Sequence, residues 1–346
     1  MKNNKLFYGL LLIAGMIMFT ACGGDSDGGV TASEAPSPTI KDKNGKKIVV
    51  TEAGDYTFTY RDNGKLESIL CSDYELYEEY KVDKDKFIIR ASDDGGNFKA
   101  VVSLTSLGFI SAMECNEKWN DEEEKGEIKL VLDFEYDKDG HLIRITGEEE
   151  YTGTDGEYKW SGNHEYENTI KWSNGNMMSF NSKSSGTETE NGEKYQFGSE
   201  TDCDIEYHKT NNTSKQYSYY QSKILGEELG DGENLFGALA IAGLFGKGTN
   251  KLPSHISAIV SFWDKDSEYE NEGEENESYN LSFDQNSNGT INYEQNGYSS
   301  SNRVYFGYDN AASKAKATRS ISDNKSKEQK KRSINRFFKR HRKAHK

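Results

Sequence analysis

The chain has little of the residue chemistry by which enzymes announce themselves. Of its 346 residues four are cysteine, three proline and six histidine. Between residues 44 and 310 there is no G-x-S-x-G, no H-E-x-x-H and no C-x-x-C, so nucleophile-elbow, zinc-protease and dithiol chemistry lack a motif there. The single G-x-S-x-G spelling, at residues 24–28, sits in a Gly- and Asp-rich stretch without the strand and helix that the motif needs. His141, His164, His208 and His255 are scattered, and His141, just after a turn glycine, reads as solvated. Carboxylate pairs such as Glu148 and Glu150 carry little information in a chain of net charge −15. Catalytic residues, a metal and a cofactor are therefore not expected. Calcium loops also fail. Asp284, Asn286, Asn288 and Gly289 match the first half of an EF-hand loop, but Gln295 stands where a bidentate Glu is required. Glu135, Asp137, Asp139 and Gly140 likewise end at Thr146.

Long apolar runs are missing too. Residues 6–18 are apolar but shorter than the ~20 residues a bilayer-spanning helix needs. Lys2 and Lys5 precede this run, and Phe19-Thr20-Ala21-Cys22 follows, small residues leading into a cysteine. That is the layout of a lipoprotein signal peptide, residues 1–21, with Cys22 as the lipidated first residue of the mature chain. Residues 22–43 are rich in Gly, Ser, Asp and Thr, stiffened by Pro36 and Pro38, and read as a flexible tether. Three cysteines remain, so at most one disulfide forms. Cys115 and Cys203 alternate with apolar neighbours and are expected as buried thiols; a Cys71 to Cys115 bridge is the alternative.

What the chain does have is hairpins. Around residues 134–145 (FEYDKDGHLIRI), Leu130 and Leu132 just before the stretch fall with Phe134 and Tyr136 on one face of a strand, residues 137–140 supply the turn, and Leu142 and Ile145 begin the return. Residues 58–69 repeat the spelling with Tyr60, Gly64, Leu66 and Ile69. A third copy keeps Trp172, Gly175, Met177 and Phe180 in a turn shorter by one residue, and a fourth around Phe283, Gly289 and Ile291 lengthens it. Turn pairs recur at Asn44-Gly45, Asn63-Gly64, Asp94-Gly95, Asp139-Gly140, Asp155-Gly156, Asn174-Gly175 and Asn191-Gly192. The expectation is an all-β domain over residues 44–310, a twisted antiparallel meander with one wet face. One stretch departs from it. Leu235, Phe236, Leu239, Ile241, Leu244 and Phe245 crowd into residues 234–246, read as one short buried helix that Asn234 caps and Gly246 and Gly248 end. Leu252-Pro253-Ser254 then opens another strand.

The order of these motifs, F-x-Y-D-x-x-G-x-L hairpins and W-x-N-G-x-M copies, then an apolar segment, Leu252-Pro253-Ser254 and a last Asp/Asn-rich hairpin, resembles the Bacteroidetes surface lipoproteins with a DUF4595 domain. Single repeats are similar to YD repeats. The residues around Cys22 look like a bacterial lipobox, and the GGDSDGG after it resembles an acidic export tag. The resemblance implies a fold and an outer-membrane, surface-exposed location, with a released form considered beside it. It implies no activity. The alternative location is an inner-leaflet periplasmic one.

Charge is divided along the chain. Residues 314–346 hold fourteen Lys and Arg against Asp323 and Glu328, a net +12, which leaves −27 for residues 1–313. In this tail, residues 311–346, Ile334, Phe337 and Phe338 fall at helical spacing among Lys330, Lys331, Arg332, Arg336, Lys339, Arg340, Arg342 and Lys343, the pattern of an interfacial amphipathic helix. Its expected partners are anionic lipid or lipopolysaccharide glycan. Nucleic acid is not expected, because an exported lipoprotein rarely meets it. Two functions follow. One is a non-enzymatic, antibacterial toxin-like effector whose tail engages anionic envelopes once an Arg-directed protease cuts at Arg319. The alternative is a surface lipoprotein that binds a glycan or a partner.

Overall fold

The computed structural model describes residues 40–54, 56–60, 66–71, 81–83, 86–92, 96–120, 124–227, 233–265 and 271–310. Cys22, Arg319 and the basic tail lie outside them. So do the turn pairs Asn63-Gly64 and Asp94-Gly95 and the side chain of Asn234.

Among the described residues, alternating apolar and polar residues broken by Asp-Gly and Asn-Gly pairs produce seventeen strands in one antiparallel sheet. The first seven are β1 (Ile40–Lys41), β2 (Lys47–Ala53), β3 (Tyr56–Tyr60), β4 (Leu66–Cys71), β5 (Lys81–Asp83), β6 (Lys86–Ser92) and β7 (Gly96–Leu104). The long central strands are β8 (Ile110–Asn120), β9 (Glu124–Tyr136), β10 (Leu142–Asp155), β11 (Tyr158–Ser173), β12 (Asn176–Glu190), β13 (Glu193–Asn211), β14 (Lys251–Lys265) and β15 (Asn271–Gln285), followed by β16 (Ile291–Asn296) and β17 (Arg303–Asn310). From β5 onward each strand pairs with its successor, and β17 returns to pair with β2, which also holds β1 and β3. The first and last parts of the sheet are thus neighbours.

Among the described residues two α-helices interrupt the meander, α1 (Tyr219–Glu227) and α2 (Glu233–Ile241), where the sequence pattern predicts one. The signal for α1 is a capping box, in which Ser218 Oγ accepts from the Gln221 amide at 3.2 Å and Gln221 Oε1 accepts from the Ser218 amide at 3.3 Å. The buried Glu294 carboxylate adds a 2.7 Å bond from the Tyr219 amide. The apolar segment is helical only to Ile241. Gly243, at φ +82°, stops it with bonds from the Gly243 amide to Ala240 O and from the Leu244 amide to Leu239 O, a Schellman ending. The expected stop at Gly246 and Gly248 comes too late, because Gly243 already supplies the left-handed residue.

The helices sit in the core. Leu239, Ile241 and Phe245 are fully buried in one cluster with Tyr56 and Leu66 from β3 and β4, Ile89 from β6, Leu132 from β9, Phe180 from β12, Ile256 from β14 and Phe306 from β17. Side chains from both ends of the sheet meet around the same helices, so the sheet curls about them. Each large apolar side chain buried this way contributes about 1.5–3 kcal/mol.

A five-residue turn recurs at residues 42–46, 105–109, 137–141 and 286–290. In each, the first residue's amide donates to the fifth residue's carbonyl, and a glycine at the fourth position donates back to the first. The turn before β16 therefore has the same length as that between β9 and β10, and is not lengthened. Cys115 and Cys203 are buried thiols, as expected, and no Cys71 to Cys115 bridge is formed.

Candidate functional site

Strand alternation divides the central sheet into two faces with different chemistry. Glu148, Glu149 and Glu150 show the division: Glu149 is buried behind the sheet, while its neighbours stand exposed in front.

The inner face turns polar as it leaves the helices. Across the strands Cys115, Leu130, Glu149, His164, Gly186, Phe197 and Asp264 stand opposite one another in one row, and Glu117, Ile128, Tyr151, Gly162, Glu188 and Tyr195 in the next. Tyr166 donates to Glu149 Oε2 at 2.8 Å. Burial nevertheless raises the Glu149 carboxyl to about 7. Burial, then Glu117 and Glu149, push the Cys115 thiol well above its ordinary value. Burial and Glu188 do the same to the phenols of Tyr151 and Tyr195. Beyond these rows Trp119 and Trp160 stack with ring centres 5.7 Å apart, each standing opposite a glycine, Gly126 and Gly153. No sequence motif marked this interior.

The outer face carries a groove of about 680 Å³ across β9 to β14. One row runs Val131, Glu148, Glu165, Ser185, Gly198, Trp263, in which Glu148 stands directly opposite Glu165. Trp263 lies over Gly198, where a Cβ would come within 2.6 Å of the indole. The next row runs Asp133, Thr146, Glu167, Lys183, Glu200. The cations lining the groove are committed to partners. Lys183 meets Glu200 at 2.7 Å, and Arg144 meets Glu167 at 2.8 Å and Glu135 at 3.3 Å. The hydrogen bond from Lys183 lowers the Glu200 carboxyl below its ordinary value. Among the described residues no ion pair reaches Asp133, Glu148 or Glu165. The groove is therefore acidic, with an aliphatic wall at Val131 and an aromatic one at Trp263.

The two loops that match part of a calcium-binding pattern are accounted for by their own hydrogen bonds. Asp137, Asp139 and His141 do bring ligand atoms within 4.8 Å of one another. Asp137 Oδ1 accepts from the amides of Asp139 and His141 at 2.9 Å, and Oδ2 lies 2.9 Å from His141 Nδ1. Burial raises the Asp137 carboxyl, but these bonds outweigh it and leave it below its ordinary value. His141 is not solvated: its ring stacks on Trp172 at 4.4 Å and its side chain is 13% exposed. In the other loop Asp284 accepts from Asn292 at 2.7 Å and Asn288 from Thr290 at 2.8 Å.

No family model matches the chain, and no curated protein does, so the likeness to DUF4595 lipoproteins rests on the order of the motifs. Among solved structures the chain is similar to a porin-like protein from Bacteroides uniformis, at 10% identity and a TM-score of 0.25, over 64% of this chain and 93% of that one. A likeness this loose carries no argument about function. Among the described residues no helix is long and apolar enough to cross a membrane.

Proposed function

We propose that this chain is a non-enzymatic lipoprotein of the bacterial outer envelope that works by binding, and that its outer groove receives a basic polypeptide partner. The supporting observation is the Glu148 and Glu165 pair, with Asp133 in the adjoining row. Like charges directly opposite on neighbouring strands repel, and a cation laid between them removes the repulsion while Val131 and Trp263 take apolar side chains. The signal-like residues 1–22 support the envelope location.

The test measures binding of a fluorescent oligoarginine peptide and of a neutral oligosaccharide to the full chain. Peptide binding that weakens with salt and is lost in Glu148→Gln/Glu165→Gln supports the reading. Binding of the oligosaccharide alone would transfer the groove to glycans.

The charge division supports a second reading, the antibacterial effector. Here residues 330–343 engage anionic lipid or lipopolysaccharide after cleavage at Arg319. Killing of sensitive cells by the wild type and not by Arg319→Ala is the expected result; equal killing would remove the cleavage step.

A further inference from the structure

We infer that the resident occupant of the outer groove is the chain's own basic segment, residues 330–343, laid across Glu148 and Glu165. The inference rests on the groove being a site for basic polypeptide. Four observations point to this occupant. Among the described residues Asp133, Glu148 and Glu165 are the groove carboxylates that no ion pair reaches, since Arg144 and Lys183 are already held by Glu135, Glu167 and Glu200. The segment is the densest run of positive charge in the chain, and it follows a body of opposite sign. Its Phe337 and Phe338 are interleaved with Lys and Arg, matching a groove in which Val131 and Trp263 border the acids. Finally, nineteen residues, 311–329, separate Asn310, the last residue of β17, from Lys330, a path of twenty Cα-to-Cα steps. At ~3.5 Å per step these span up to about 70 Å when extended, so the linker is long as well as flexible in composition.

An occupant held this way makes the site self-regulated. A basic partner in solution must displace the tail, and the tail is withheld from anionic surfaces while it is docked. Cutting the linker would lower the effective concentration of the segment and empty the groove.

The experiment uses the full chain treated with a carbodiimide, which joins a lysine amine to a carboxylate in contact with it, with loss of water. Equal amounts of unlabelled and ¹⁵N-labelled protein are mixed first, and linked peptides are read by mass spectrometry. Links from Lys330, Lys331, Lys339 or Lys343 to Asp133, Glu148 or Glu165 within one copy are expected. Links to Asp133, whose carboxylate is retained, should also disappear in Glu148→Gln/Glu165→Gln, whose exposed substitutions leave the circular dichroism unchanged. Trypsin should then cut residues 330–343 about fivefold faster than in the wild type, the size expected for two exposed ion pairs. Links only between light and heavy copies would assign the groove to a second molecule and overturn the inference. Links only elsewhere, or cleavage rates equal in the two proteins, would overturn it as well. Oligoarginine binding without such links would sink this inference and leave the groove reading standing, whereas failure of both would remove both.

Discussion

The hydroxyl of Tyr166 donates to the carboxylate of Glu149 across 2.8 Å on the inner face of the sheet, where Glu149 is 3% exposed. Burial outweighs that bond and raises the carboxyl from 4.5 to about 7. The folded state therefore holds this proton more tightly than the unfolded chain. Its contribution to stability is complete below pH 4.5 and is lost as pH rises through 7. Glu149→Gln keeps an acceptor for Tyr166 and cannot ionise. Denaturant midpoints should be similar at pH 4 and diverge above it, the variant gaining up to about 3 kcal/mol by pH 8. A difference that stays constant with pH would refute the assignment.

Gly153 stands opposite Trp160, and a Cβ there would lie 2.0 Å from the indole. Gly153→Ala must push Trp160 off Trp119, its stacking partner. A loss of about 1–3 kcal/mol is expected, with a shift in tryptophan emission. Unchanged emission would mean that the ring pair does not depend on the glycine.

Gly243 makes a different demand. Apart from its neighbours along the chain, no heavy atom among the described residues lies within 4 Å of its Cβ position, yet φ is +82°. Gly243→Ala should cost about 1–2 kcal/mol from backbone strain alone, and Gly243→Asn less, because Asn tolerates the left-handed region. Thermal melts of the pair check this. Equal losses would point to something other than backbone conformation.

At the other end of the chain, Cys22→Ser should leave the protein unlipidated and move it from the detergent phase to the aqueous phase on detergent partitioning. Partitioning identical to that of the wild type would rule out lipid attachment at Cys22.

The hairpins were legible because their causes are local. An Asn-Gly pair selects a tight turn wherever it occurs, as at Asn174-Gly175 and Asn191-Gly192, where all four residues take positive φ. The start of α1 was equally local, written in Ser218-Tyr-Tyr-Gln221, although the surrounding tyrosines read as strand. Period-two alternation also required that Glu149 face away from Glu148 and Glu150. It did not say which face would be enclosed. That was decided by the curl of the sheet around α1 and α2, which buries one side of the central strands and leaves the other to water. The groove is further still from local rules. Glu148 and Glu165 are seventeen residues apart, and they meet because the register of β10 on β11 aligns them. Trp263 joins their row only through β12, β13 and the helical insertion before β14. The sequence alone thus determined strands, turns and the segregation of charge, since each depends on neighbours along the chain. Tertiary structure decided which carboxylates are hidden and which converge, because burial and pairing depend on residues that only folding brings together.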